Sequence, residues 1–227
     1  MRPLRIVALL FSVLLLAAGG AMIYMSKVNG KFVPGVDLSQ PRHPVTDEMA
    51  AGVQKLNRKV GKFYKLPDTS GKPVLIGGQG PKPQFLYFIK KGCPCSFEAE
   101  PILQGLYRHF GGKVDFIAVT DANFADANKW VADLKEAKHE IPYPVVSDTK
   151  LEVMESYQAP ASVYSTLLDQ SGLIVKRWAG YSQDYLKEMN DEMSKLIGEP
   201  ATPFDSTYAP KKRTSGCSFE GYKETKG

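Results

Sequence analysis

An unbroken apolar run, Phe85-Leu86-Tyr87-Phe88-Ile89, leads through Gly92-Cys93-Pro94-Cys95-Ser96 into a stretch with Ile102, Leu103, Leu106, Tyr107 and Phe110 at helical spacing. Apolar residues in succession, without polar alternation, fit a strand buried on both faces, and such strands belong to parallel or mixed sheets covered by helices. The second stretch repeats every three or four residues, as one helical face does, and stops at Gly111-Gly112. A buried strand handing over to an amphipathic helix restricts the chain to the α/β class. It also sets two cysteines at a helix start, where unpaired amides and the positive end of the helix dipole favour thiolate over thiol.

The rest of the chain alternates in the same way. Residues 114–119 read as a second buried strand, and Phe124, Ala127, Val131 and Leu134 mark the helix after it. Residues 143–146 begin another extended piece, with Leu151, Val153 and Met154 in a short helix behind it. Residues 163–168, a turn at 169–172 and residues 173–178 form a hairpin. Leu186, Met189, Met193 and Leu196 are the inward face of a last helix over 182–197. Ahead of the cysteines, residues 63–74 read as strand, turn and strand. Before them a helix opened by Thr46-Asp47-Glu48 presents Met49, Val53, Leu56 and Val60 on one face. The expected domain is a central mixed β-sheet flanked by helices over 60–197. A linker and short helix over 26–59 precede it, and a polar tail over 198–227, expected to be flexible, follows it.

Residues 6–25 carry no charge, and at about 1.5 Å per residue a helix of this length crosses the roughly 30 Å hydrocarbon core of a bilayer. Residues 1–25 therefore read as a single-pass membrane helix. Arg2 and Arg5, the apolar stretch 9–16 and the small residues 18–21 also describe a cleavable signal peptide. Both readings place the domain outside the cytoplasm, tethered to the membrane or secreted to the periplasm or exterior, where a dithiol can be held oxidised. The 227 residues are 43% hydrophobic and 23% charged, as in a folded domain. The net charge of +5 is dispersed except at Lys211-Lys212-Arg213, which gives no basis for nucleic-acid binding.

Three blocks resemble, in order, the thioredoxin-like redoxins: the alkyl hydroperoxide reductase and thiol-specific antioxidant type, together with the membrane-tethered thiol-disulfide oxidoreductases. Phe63-Tyr64-Lys65-Leu66-Pro67-Asp68-Thr69-Ser70-Gly71-Lys72 is similar to that family's opening hairpin. Residues 88–101, with Pro101 eight residues after Cys93, are similar to its active-site strand and helix, and residues 164–180 to its late hairpin. The resemblance implies a thioredoxin-like fold and a thiol-dependent oxidoreductase needing no cofactor or metal, acting on protein thiols and disulfides or on peroxide. Two departures stand out. The family's usual spacing is Cys-x-x-Cys, whereas aligning on Pro101 puts Cys93 first and Ser96 second, with Cys95 one residue early. The Thr or Ser usual three residues before a peroxidatic cysteine is Lys90 counted from Cys93 and Gly92 counted from Cys95. The second departure is the proline usually held in cis opposite the site: Val163 stands at that position, and Pro160 is the nearby substitute.

On this footing Cys93 is the attacking sulfur, favoured as thiolate by Lys90 and Lys91, and Pro94 stiffens the turn. Cys95 resolves the mixed disulfide or sulfenic acid, or is simply a small hydrophobe in the helix packing. A disulfide across one residue closes a tight ring, which suits an oxidising or isomerising couple. Cys217 is an uncommitted residue of the tail, or a distant resolving cysteine in a peroxidase that could also use an external thiol. The sequence names no electron donor. Glu98 and Glu100 complement the helix dipole at one end and His109 at the other. A copper chaperone using Cys93, Cys95 and His139, and a silent partner-binding redoxin, are the remaining readings.

Overall fold

The structure, a computed structural model, describes residues 42–201, 203 and 205–223. Thr46 caps the first helix by accepting the Met49 amide, and α1 (Asp47–Gly52), with two acids in its first turn, continues into a 3-10 turn (Val53–Leu56). The hairpin read from residues 63–74 is β1 (Tyr64–Pro67) and β2 (Pro73–Ile76), paired antiparallel. Asp68 makes its turn, one carboxylate oxygen accepting the Ser70 amide at 2.8 Å and the Lys72 amide at 2.9 Å.

The main sheet has five strands: β3 (Gln84–Ile89), β4 (Asp115–Thr120), β5 (Val145–Ser147), β6 (Tyr164–Leu168) and β7 (Ile174–Ala179), in the order β5-β4-β3-β6-β7. β3 lies in the middle, parallel to β4 and antiparallel to β6, and all its residues are buried. Its side chains alternate between the faces, as strand geometry requires. Phe85, Tyr87 and Ile89 pack with α2 (Pro94–Phe110) and α5 (Gln183–Leu196) through Leu103, Leu106, Leu186 and Met189. Leu86 and Phe88 face the other core, with Val53, Leu56 and α4 (Glu152–Ser156). Each such fully buried side chain contributes about 1.5–3 kcal/mol. The crossover between β4 and β5 is α3 (Phe124–Glu136), capped by Asn123. These elements form the expected mixed sheet flanked by helices.

One buried cation ties the layers together. Arg177 on β7 is 1% exposed and donates to the carbonyls of Val53 at 2.8 Å, Gln158 at 2.7 Å and Tyr157.

Residues 205–223, expected as part of a flexible tail, pair with the domain. Tyr181 and Thr214 exchange backbone bonds of 2.8 and 2.9 Å, the Ser215 amide reaches the His43 carbonyl at 2.8 Å, and Ala209 and Phe219 are buried. Composition misleads here because the segment is held by backbone pairing and a few small residues, with little hydrophobic periodicity. Residues 1–25, where the membrane helix or signal peptide is expected, lie outside the described residues. Among the described residues no helix is long and apolar enough to cross a membrane.

Candidate thiol active site

The chain leaves β3 through Gly92, whose φ of +74° is one that side-chain-bearing residues rarely adopt. Cys93 then caps α2 with extended backbone (φ −84°, ψ 117°), and Pro94 begins the helix where its missing amide costs nothing. Ser96 fastens this turn to β3. Its hydroxyl accepts the Lys90 amide at 3.0 Å and its carbonyl accepts the Tyr87 hydroxyl at 3.3 Å.

Cys93 is only 4% exposed, and donors surround its sulfur. The Cys217 amide lies 3.2 Å away and the Ser162 hydroxyl 3.4 Å away. The Cys95 thiol is the strongest influence: by donating to Cys93 it holds that thiol far below its ordinary value. Burial opposes it, and Cys217 and Ser162 add to it. Cys95, buried on α2, is pushed up by the same hydrogen bond and by its own burial. Burial first, and then its bond to Cys93, pushes Cys217 up to about 11. The arrangement thus favours the thiolate at Cys93 and the protonated thiol at Cys95 and Cys217.

The lysines expected to stabilise Cys93 are engaged elsewhere. Lys91 Nζ is 2.6 Å from Asp126 Oδ1. Lys90 Nζ donates to the Ser218 carbonyl at 2.6 Å, lies 3.8 Å from Glu220 and lowers Cys217. Val163, next to Ser162, is buried with φ +65°, its amide donating to the Phe88 carbonyl at 2.6 Å. A β-branched residue in the left-handed region costs of order 1–3 kcal/mol, held here by the surrounding bonds. Every peptide among the described residues is trans, and Pro160 offers its carbonyl to the Phe219 amide at 3.0 Å.

Cys217 is therefore no bystander in position. The Gly216 amide donates to the Ser162 carbonyl at 2.9 Å and the Ser162 amide to the Cys217 carbonyl at 3.0 Å, which sets residue 217 over Cys93. Sequence reasoning missed Ser162 and His43, whose Nε2 is 3.7 Å from the Cys217 sulfur. The only available signal for Ser162 is its place next to Val163; His43 has none. Glu98, 3.1 Å from Arg42, is raised by burial, lowered by Arg42 and raised again by the Cys93 charge.

Glu100 departs from its expected role at the helix surface. It is fully buried, accepts the Tyr143 hydroxyl at 2.6 Å, and is pushed up to about 7 by burial against the opposing bonds from Tyr143 and Gln104. The three-ligand copper set of Cys93, Cys95 and His139 is not assembled. The His139 carbonyl lies 3.1 Å from Gln104, nine residues along α2 from Cys95 and so roughly 14 Å away at 1.5 Å per residue. Among the described residues no group of three His, Cys, Asp or Glu side chains is set to hold a metal. A cleft of about 390 Å³, lined in part by Gln84, Tyr107 and Tyr143, lies at the other end of β3 from the thiols.

A mixed sheet whose central strand delivers a thiol to a helix start defines a thioredoxin-like protein. Residues 56–178 match the AhpC/TSA family, and the chain belongs to that family. Sporulation thiol-disulfide oxidoreductase A of Bacillus subtilis (strain 168) is 27% identical over 145 residues, which are 63% of this chain and 87% of that protein. An uncharacterized conserved protein from Geobacillus kaustophilus superposes with a TM-score of 0.54 at 18% identity, over 74% of this chain and 95% of its own. The hypothetical protein SMc02350 from Sinorhizobium meliloti 1021 superposes with a TM-score of 0.52 at 17% identity, over 74% and 96%. These two likenesses are of fold alone.

Proposed function

We propose that this chain is an extracytoplasmic thiol-disulfide oxidoreductase in which Cys93 attacks and Cys95 resolves. The observation that carries the reading is the pair of donors on the Cys93 sulfur, the Cys217 amide at 3.2 Å and the Ser162 hydroxyl at 3.4 Å, with Cys95 two residues along the chain. The relative's description as a thiol-disulfide oxidoreductase supports it. In the reducing direction the Cys93 thiolate attacks one sulfur of a partner's disulfide, that bond breaks, and the partner's other sulfur leaves as thiolate. The Cys95 thiol then gives up its proton and attacks Cys93, releasing the partner's second thiol and leaving a Cys93–Cys95 disulfide. The partner has gained two electrons and this chain has lost two. In the oxidising direction the steps run backwards. The uncharged run over residues 6–25 supports a membrane tether that holds the domain outside the cytoplasm.

A second reading gives the resolving role to Cys217, and the 3.2 Å contact of its amide with the Cys93 sulfur favours it. Peptide mapping of the oxidised chain separates the two. A Cys93–Cys95 bond that persists in Cys217→Ser supports the first reading, a Cys93–Cys217 bond that persists in Cys95→Ser supports the second, and a chain with neither bond refutes both.

A further inference from the structure

Next to Cys93 the loop ahead of β6 presents a short backbone edge: the Pro160 carbonyl and both the amide and carbonyl of Ser162. Residues 216–219 take all three groups, through Gly216 N to Ser162 O at 2.9 Å, Ser162 N to Cys217 O at 3.0 Å and Phe219 N to Pro160 O at 3.0 Å. Ala161 and Ser218 form an antiparallel bridge at the same place. The segment is thus an added strand on the rim of the site, with its cysteine over Cys93, as when an extended peptide augments a sheet edge.

The fit carries further detail. At Gly216 a Cβ would stand 2.0 Å from the Ser162 hydroxyl and 3.2 Å from the Ser162 carbonyl, so glycine fits before the cysteine and any side chain there displaces the Ser162 hydroxyl, a larger one more than a small one. Two residues after the cysteine, Phe219 is buried to 4% exposure in the core that holds Tyr157 and Tyr164. Lys90 holds the Ser218 carbonyl between them at 2.6 Å. With this segment seated, Cys93 is itself 4% exposed, which leaves no approach for a second peptide.

We propose that residues 216–219 are a built-in substrate mimic, and that they must leave the 160–162 edge before a partner's cysteine reaches Cys93. The partner segment is an extended peptide with a small residue before its cysteine and an apolar residue two positions after it. The inference rests on Cys93 being the nucleophile. It makes the tail a gate that competes with partners for one edge, and the reactivity of Cys93 toward a peptide is scaled by the fraction of chains with the edge free.

The probe is the peptide Ser-Gly-Cys-Ser-Phe carrying thionitrobenzoate on its cysteine. The Cys93 thiolate attacks the peptide sulfur, the sulfur–sulfur bond breaks and coloured thionitrobenzoate leaves. All chains carry Cys217→Ser, so that no tail thiol competes for Cys93; loss of the residue-217 amide from the Cys93 sulfur would by itself slow the attack, so a faster rate reports the freed edge. Adding Gly216→Val, or ending the chain after Ser215, is expected to raise the second-order rate by about tenfold or more. Equal rates in all three chains, still faster than free glutathione, overturn the gate and leave the nucleophile standing. Rates no faster than glutathione in every chain overturn the reading of Cys93 itself. One measurement needs neither Gly216→Val nor the truncation: amide hydrogen exchange at Ser162 and Phe219 in a chain carrying Cys95→Ser and Cys217→Ser, where the adduct is not resolved, is expected to accelerate once the peptide is attached to Cys93, and unchanged exchange refutes displacement of the tail.

Discussion

Cys95 is the largest influence holding Cys93 down, and it acts through a single hydrogen bond, so Cys95→Ala isolates it. A hydrogen bond to a charged acceptor is worth about 1.5–3 kcal/mol. One pKa unit corresponds to about 1.4 kcal/mol, so losing that bond should raise the Cys93 pKa by about one to two units. Cys95→Ser keeps a donor and should shift it less. Ser162→Ala removes a 3.4 Å contact from a neutral hydroxyl, a smaller influence than Cys95, and should raise it by less than about one unit. The assay is the pH dependence of iodoacetamide alkylation at Cys93, followed by peptide mass. Only the thiolate reacts, so the midpoint reports the pKa even where burial slows every rate alike. The physical reasoning is refuted if the unmodified chain titrates near 8.5 or if Cys95→Ala leaves the midpoint in place.

Two further predictions concern stability. The Glu100 carboxyl is raised from 4.5 to about 7, chiefly by burial, so the folded chain keeps a proton that the unfolded chain loses between these values. Stability therefore falls as pH rises through that window, by about 3 kcal/mol in all. Glu100→Gln should abolish the fall in urea denaturation between pH 4.5 and 8, and an unchanged slope would exclude Glu100 as its source. Arg177→Ala leaves three buried carbonyls without their donor, at about 1–3 kcal/mol each, and should lower the unfolding free energy by about 3 kcal/mol or more. A loss below about 1 kcal/mol would mean that water replaces the guanidinium.

The main sheet is legible because its strands are short apolar runs between helical faces. Phe85 to Ile89 can only be buried on both sides, and β3 with α2 follows from it. The hairpin turn at Asp68 and the cap at Thr46 are local chemistry and are read directly. The site is legible only in its first half. Cys93 and Cys95 announce themselves by sequence, but the lysines beside them turn to Asp126 and Glu220, because charged heads seek carboxylates and solvent over a buried sulfur. Ser162, His43 and Cys217 reach Cys93 through long-range backbone pairing. Local periodicity carries no trace of it, although Gly216-Cys217-Ser218-Phe219 does echo the sequence around Cys93. Arg177 lies in a strand read from the sequence, but its burial, with three carbonyls converging on it, depends on long-range packing that the local pattern does not show.

The central claim is that Cys93 is the sulfur that exchanges with a partner's disulfide. In a chain carrying Cys95→Ser and Cys217→Ser neither resolving thiol remains, so the first intermediate has no internal route of escape. Incubating this chain with a protein disulfide such as that of insulin, quenching with acid and mapping the product should show a mixed disulfide on Cys93. A chain that carries no adduct at Cys93 would contradict the account.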